Sequence, residues 1–131
     1  MKSILLISMA FWGALGETPE QAPVVLDDVC RAIGVGNVAE LSAIMDMEVE
    51  LSILDQEDLY SKAEATAALE NFFEKFSPTS FGKVHQGASK SNDAEYCIGT
   101  LSTKKGAFRV FIYVAKSPSG VVLQELKFDR N

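Results

Sequence analysis

From Pro78 onward the chain is divided by turn-forming residues into strand-length pieces, and this constrains the fold more than any other feature. Segment 80–89 (SFGKVHQGAS) stops at Ser91-Asn92-Asp93, segment 94–103 (AEYCIGTLST) at Lys104-Lys105-Gly106, and segment 107–115 (AFRVFIYVA) at Ser117-Pro118-Ser119-Gly120. Segment 121–128 (VVLQELKF) completes the set. Connections this short cannot carry a crossover, so the segments are expected to run as a four-strand antiparallel meander. In 107–115, Phe108, Val110, Ile112 and Val114 share a wholly apolar face, which should be core. Ala107, Arg109, Phe111, Tyr113 and Ala115 share the other face. A sheet surface carrying Phe, Tyr and Arg has the composition of an interface.

A sheet with one apolar face needs a cover, and the residues before Pro78 offer it. Pro23 fits the first turn of a helix, where its missing N–H costs nothing. Val25, Leu26, Val29, Cys30 and Ile33 then form an apolar stripe, with Asp27 and Asp28 at the favourable end of the helix dipole. Gly34 and Gly36 end that helix. Asn37, with Glu40 at capping-box spacing, starts a second short one that buries Val38, Leu41, Ile44 and Met45. In 47–53 (MEVELSI) the period changes to strict alternation, the pattern of a half-buried strand. Asp55-Gln56-Glu57-Asp58 reads as an acidic turn and Leu59-Tyr60 as a very short returning strand. Ser61 and Glu64 form a capping box for the longest helix, whose Ala65, Ala68, Leu69, Phe72, Phe73 and Phe76 make one aromatic-rich face. Ser77-Pro78 stops it. The expected fold is α+β: a strongly bent antiparallel sheet, made of the meander plus an N-terminal strand or short hairpin, packed against three helices. Gly82, Gly87 and Gly99 are placed to supply bulges or kinks.

The first sixteen residues follow different rules. Lys2 precedes an apolar stretch from Ile4 to Leu15, which ends in the small residues Ala14 and Gly16. That is the pattern of a cleavable secretory signal. The stretch is too short for a bilayer span, which needs about 20 residues. The expectation is a signal peptide at 1–16, a single domain at 17–131, and a location that is exported, periplasmic or secreted. Apolar residues at 47% and charged residues at 23% suit a folded domain rather than a disordered chain. Loss of Lys2 leaves 11 basic against 18 acidic residues, a net charge of −7. Such a charge disfavours nonspecific binding to nucleic acid and to anionic membranes. No membrane span is expected after cleavage. Cys30 and Cys97 are the only cysteines. Export makes a disulfide chemically possible, but two buried free thiols acting as small apolar residues are the favoured expectation, since a core of this size does not need a staple.

The sequence resembles the nuclear transport factor 2-like, or cystatin-like, superfamily. More specifically it resembles an uncharacterised family of small exported bacterial proteins within it, a domain of unknown function. ILDQEDLYSKAEA (53–65) with Phe72-Phe73, HQGASK (85–90) and AEYCIGTLSTKKGAFRV (94–110) carry the resemblance. It implies a cone-shaped fold and export, and no particular activity, because the superfamily holds isomerases, dehydratases, binding modules and dimerisation domains alike.

Residues with chemical capacity are few. His85 is the only histidine, and no C-x-x-C or H-E-x-x-H spacing is present, so neither a metal site nor a cofactor is expected. Asp55, Glu57 and Asp58, with Glu50 nearby, lack the EF-hand pattern and suit a solvated turn. The superfamily's cavity lies between sheet and helices. Tyr60, His85, Tyr96 and Gln124 are the candidates to line it, Gln124 because it shares a strand face with Val122, Leu126 and Phe128. Arg109, Phe111 and Tyr113 are the candidate interface. The functional expectation is an exported, non-catalytic protein that binds a small apolar ligand in the cavity, or a protein partner, including a second copy, on the outer sheet face. The alternative is an isomerase- or dehydratase-like enzyme in the same cavity.

Overall fold

One six-stranded sheet, in the order β2-β1-β6-β5-β4-β3, forms the frame. The computed structural model describes residues 22–131, so the expected signal peptide at 1–16 and the polar stretch after it lie outside the described residues. The elements are α1 (Leu26–Val35), α2 (Val38–Ala43), β1 (Met45–Ile53), β2 (Gln56–Ser61), α3 (Lys62–Lys75), β3 (Pro78–Ala88), β4 (Ala94–Thr103), β5 (Gly106–Ser117) and β6 (Gly120–Arg130). The fold is α+β, with α1 laid against β3 and β4 and α3 against β1 and β2. No helix among the described residues is long and apolar enough to cross a membrane.

The meander is present, and Phe108, Val110, Ile112 and Val114 are fully buried. Facing them, α3 inserts Phe72 between Phe108 and Phe128, with ring centroids 5.3 and 4.5 Å away. The helix starts where its capping box requires: Ser61 Oγ accepts from the Glu64 N–H at 3.2 Å, and the Ser61 N–H donates to Glu64 Oε1 at 3.0 Å. Asn37 caps α2 in the same way, accepting from the Glu40 N–H. The core lies between sheet and helices.

Five local expectations change. Pro23 lies before α1 rather than in its first turn, because Val24 is held to the sheet through the Val121 N–H and pairs with Gly120. Helix α1 runs through Gly34 and ends only at Gly36, whose φ of 69° is the left-handed turn that glycine tolerates best. The sheet is antiparallel except at β1–β6, which is parallel. No hairpin joins those two strands, so nothing local sets their relative direction. Residues 56–58 of the expected acidic turn are strand. The reversal is made by Leu54 and Asp55, both at positive φ (49° and 76°), and Gln56 already pairs with Ile53. That geometry is the two-residue hairpin turn that matches strand twist. Met47 is 83% exposed, although alternation placed it with the buried Val49 and Leu51, because β1 shifts register against β6 between Met45 and Glu50.

Candidate functional site

Strand parity decides which side chains meet, and two bulges reset it. Between β5 and β6, Val114 pairs with Leu123 and Tyr113 with Glu125, so Gln124 is an extra residue. The bulge puts Leu126 and Phe128 on the buried face with Val121 and Leu123, and turns Val122 and Gln124 away from it. The face expected for Gln124 is therefore corrected: its Nε2 donates to Asp46 Oδ2 at 3.1 Å instead of facing the core. Between β3 and β4 a second bulge at Val84 puts His85 opposite Ile98.

On the outer face, the registers line up in rows. Tyr96, Tyr113, Glu125 and Glu50 are successive cross-strand neighbours on β4, β5, β6 and β1. Ile98, Phe111, Lys127 and Ser52 form the next row, and Thr100, Arg109 and Asp129 the third. His85 extends the middle row onto β3, and Glu57 extends it onto β2. His85 Nε2 and the Tyr96 hydroxyl are 2.8 Å apart. The Tyr96 ring stacks toward Phe111, centroids 6.2 Å apart. Tyr96, Ile98, Phe111 and Tyr113 are half-buried on this face, while α1 and α3 pack against the sheet's other face. A groove of about 370 Å³ runs between Ile98, Phe111, Arg109, Glu125, Lys127 and Asp129. Burial pushes the Glu125 carboxyl up, the neighbouring Glu50 pushes it further, and Lys127 opposes both.

The seven candidate residues thus separate. His85, Tyr96, Arg109, Phe111 and Tyr113 share the outer face. Gln124 is at the β6 bulge, beside Asp46. Tyr60 alone reaches a recess between sheet and helix, about 340 Å³ in volume, where Ile53, Leu54, Phe72, Lys75 and Phe76 also stand. Glu125 and Lys127 belong to the outer-face site and were not foreseen. Their signal lay in alternation along 121–128, which the bulge at Gln124 interrupts. Among the described residues, no group of three or more His, Cys, Asp or Glu is placed to hold a metal ion.

A family model for a domain of unknown function, DUF4783, matches residues 26–129. The chain belongs to this family. A DUF4783 family protein from Bacteroides ovatus is 31% identical with a TM-score of 0.72, over 79% of this chain and 92% of that one. A DUF4783 family protein from Bacteroides uniformis is 27% identical with a TM-score of 0.74, over 81% and 96%. An NTF-2 like protein of unknown function from Burkholderia xenovorans shares the fold, at 12% identity and a TM-score of 0.58 over 81% and 80%. No curated protein matches. The DUF4783 chain therefore has the nuclear transport factor 2-like fold its sequence suggested, with the curved sheet open on its outer side.

Proposed function

We propose that this DUF4783 protein is an exported binding module whose partner, on the outer sheet face, is a second copy of the same chain. One observation carries the reading: the outward side chains of β5 and β6 complement one another row by row. Strand β5 presents Tyr113, Phe111 and Arg109, and β6 presents Glu125, Lys127 and Asp129 directly beside them. A two-fold axis parallel to the strands and between β5 and β6 lays each strand over its counterpart's neighbour. Asp129 then faces Arg109, Lys127 faces the Phe111 ring, and Glu125 faces the Tyr113 hydroxyl, each twice. The same operation sets Glu57 opposite His85. Ion pair, cation–π contact and aromatic burial are what a self-complementary interface uses. Export is supported by the composition of residues 1–16.

The test is a charge exchange read by sedimentation equilibrium on residues 17–131. Asp129→Arg and Arg109→Asp should each weaken self-association at least ~10-fold, and the double variant should recover most of it. A wild-type chain that stays monomeric at about 100 µM would overturn the reading, because a specific dimer of this kind should form well below that concentration.

The recess beside Tyr60 supports a second reading, a small apolar ligand with an anionic group. Phe72, Phe76 and Ile53 provide apolar walls there, and Lys75 provides a cation at the rim. The enzyme alternative has less support, since His85 and Tyr96 form their pair on an open sheet face rather than in an enclosed apolar pocket.

A further inference from the structure

We propose that Cys30 and Cys97 close to an intramolecular disulfide under oxidising conditions, fastening α1 to β4. They are the only two cysteines of the chain. They stand 67 residues apart in sequence, on a helix and on the strand beneath it, yet their Sγ atoms lie 3.7 Å apart in the core. Both are free thiols, and both are buried. A disulfide needs an S–S distance of about 2.05 Å, which side-chain rotation and a small backbone adjustment can supply from van der Waals contact.

The surroundings give the two sulfurs different roles. Cys30 borders a surface depression lined by Asp27, Arg31, Gly34, Phe81 and Lys83, whereas Cys97 is fully buried behind it. Cys30 is therefore the thiol that an external disulfide reaches. Its thiolate attacks one sulfur of that oxidant, breaking the oxidant's S–S bond and releasing one thiolate, which takes a proton. The Cys97 thiolate then attacks Cys30 Sγ, and the second half of the oxidant leaves as a thiol. Two S–H bonds are lost and one S–S bond forms in the protein, and the oxidant's disulfide, reduced by two electrons, becomes two thiols.

The same burial sets the timing. Desolvation, helped by the adjacent sulfur, pushes the Cys30 thiol up to about 12, and burial also raises Cys97, although Lys83 works against both shifts. Thiolate is the attacking species, so exchange in the folded protein is slow in either direction. In the folded protein the order is Cys30 first and Cys97 second; during refolding, before α1 docks, either thiol can start the exchange, and docking then shields the bond.

The experiment refolds the full chain in oxidised and reduced glutathione, quenches with acid, and measures mass and maleimide labelling after denaturation. The expected product is lighter by about 2 Da than the reduced chain and takes no maleimide. It should melt roughly 10–20 °C above the reduced chain. The Cys30→Ala/Cys97→Ala variant should melt at the same temperature in both redox buffers. The proposal is overturned if both thiols label after oxidative refolding, if glutathione stays attached at Cys30, or if oxidised and reduced chains melt together. The same labelling applied to protein taken from its host tests export separately. Free thiols there, with a bond that closes in glutathione, would count against export and leave the pair standing.

Discussion

Gly87 and Gly99 sit on adjacent strands and look alike in sequence, but a methyl group would meet different obstacles at each. At Gly99 it would come within 2.6 Å of the Gly82 carbonyl oxygen and 2.3 Å of the Phe81 ring, so neighbouring backbone would have to move. At Gly87 it would meet only the Tyr96 side chain, whose outer atoms are 2.6 Å away and can swing aside. Gly99→Ala is therefore expected to cost about 2–3 kcal/mol by denaturant titration, an overpacking penalty. Gly87→Ala should cost less than about 1 kcal/mol while displacing the Tyr96 hydroxyl from His85. Equal losses would show that the strand backbone at Gly82 yields. The sequence marked both glycines as special without giving the reason, because the reason is a neighbour from another strand. The same holds for the candidate site. Tyr96 and His85 were legible as interesting residues, but that they touch depends on the bulge at Val84, and nothing in HQGASK announces it.

At the scale of elements, legibility follows the strength of the local signal. Helix α3 could be read from Ser61, Glu64 and the Phe stripe, since cap and apolar face agree. Ser61→Ala should lower stability by about 1 kcal/mol in urea titration, and Ser61→Gly by only a few tenths. A loss in both of similar size would mean that the Ser61 side chain contributes through β2 rather than through the cap. Strand β5 could be read because its apolar residues keep one parity from Phe108 to Val114. Strand β2 could be read only in part, as Leu59-Tyr60. Gln56, Glu57, Asp58 and Leu59 are all exposed at a sheet edge, so no apolar alternation marks them, and the turn that creates the strand uses a leucine at positive φ. In β6 the alternation was visible and misleading, because a one-residue bulge exchanges faces halfway along the strand.

At the scale of the molecule, charge on the outer face links stability to pH. Glu125 has its pKa raised above the ordinary glutamate value by burial and by Glu50. The folded state thus holds that proton more tightly than the unfolded state does. The stabilisation is complete below the ordinary value and is lost as pH rises through the raised one. Glu125→Gln should therefore melt like the parent at pH 4 and gain up to about 0.5 kcal/mol at pH 7, a small figure because solvent screens the site. A loss at pH 7 would show that attraction to Lys127 outweighs both burial and Glu50. The overall architecture was readable from the meander and the helices together, whereas the parallel contact of β1 with β6 was not, since it joins distant stretches through no hairpin.

That contact also bears on how the chain is made. Strand β6, which follows the other five, is not at the sheet's rim but between β1 and β5, and Glu50, paired with Leu59 on one side, meets Glu125 on the other. Until β6 is available, the β1–β2 hairpin and strands β3 to β5 share no strand border, and the sheet has a gap at its centre. Loops of this span close late, after local helices and hairpins. A chain emerging N-terminus first, from a ribosome or through a narrow pore, would hold two separate pieces of sheet, bridged by helix packing alone, until β6 arrived.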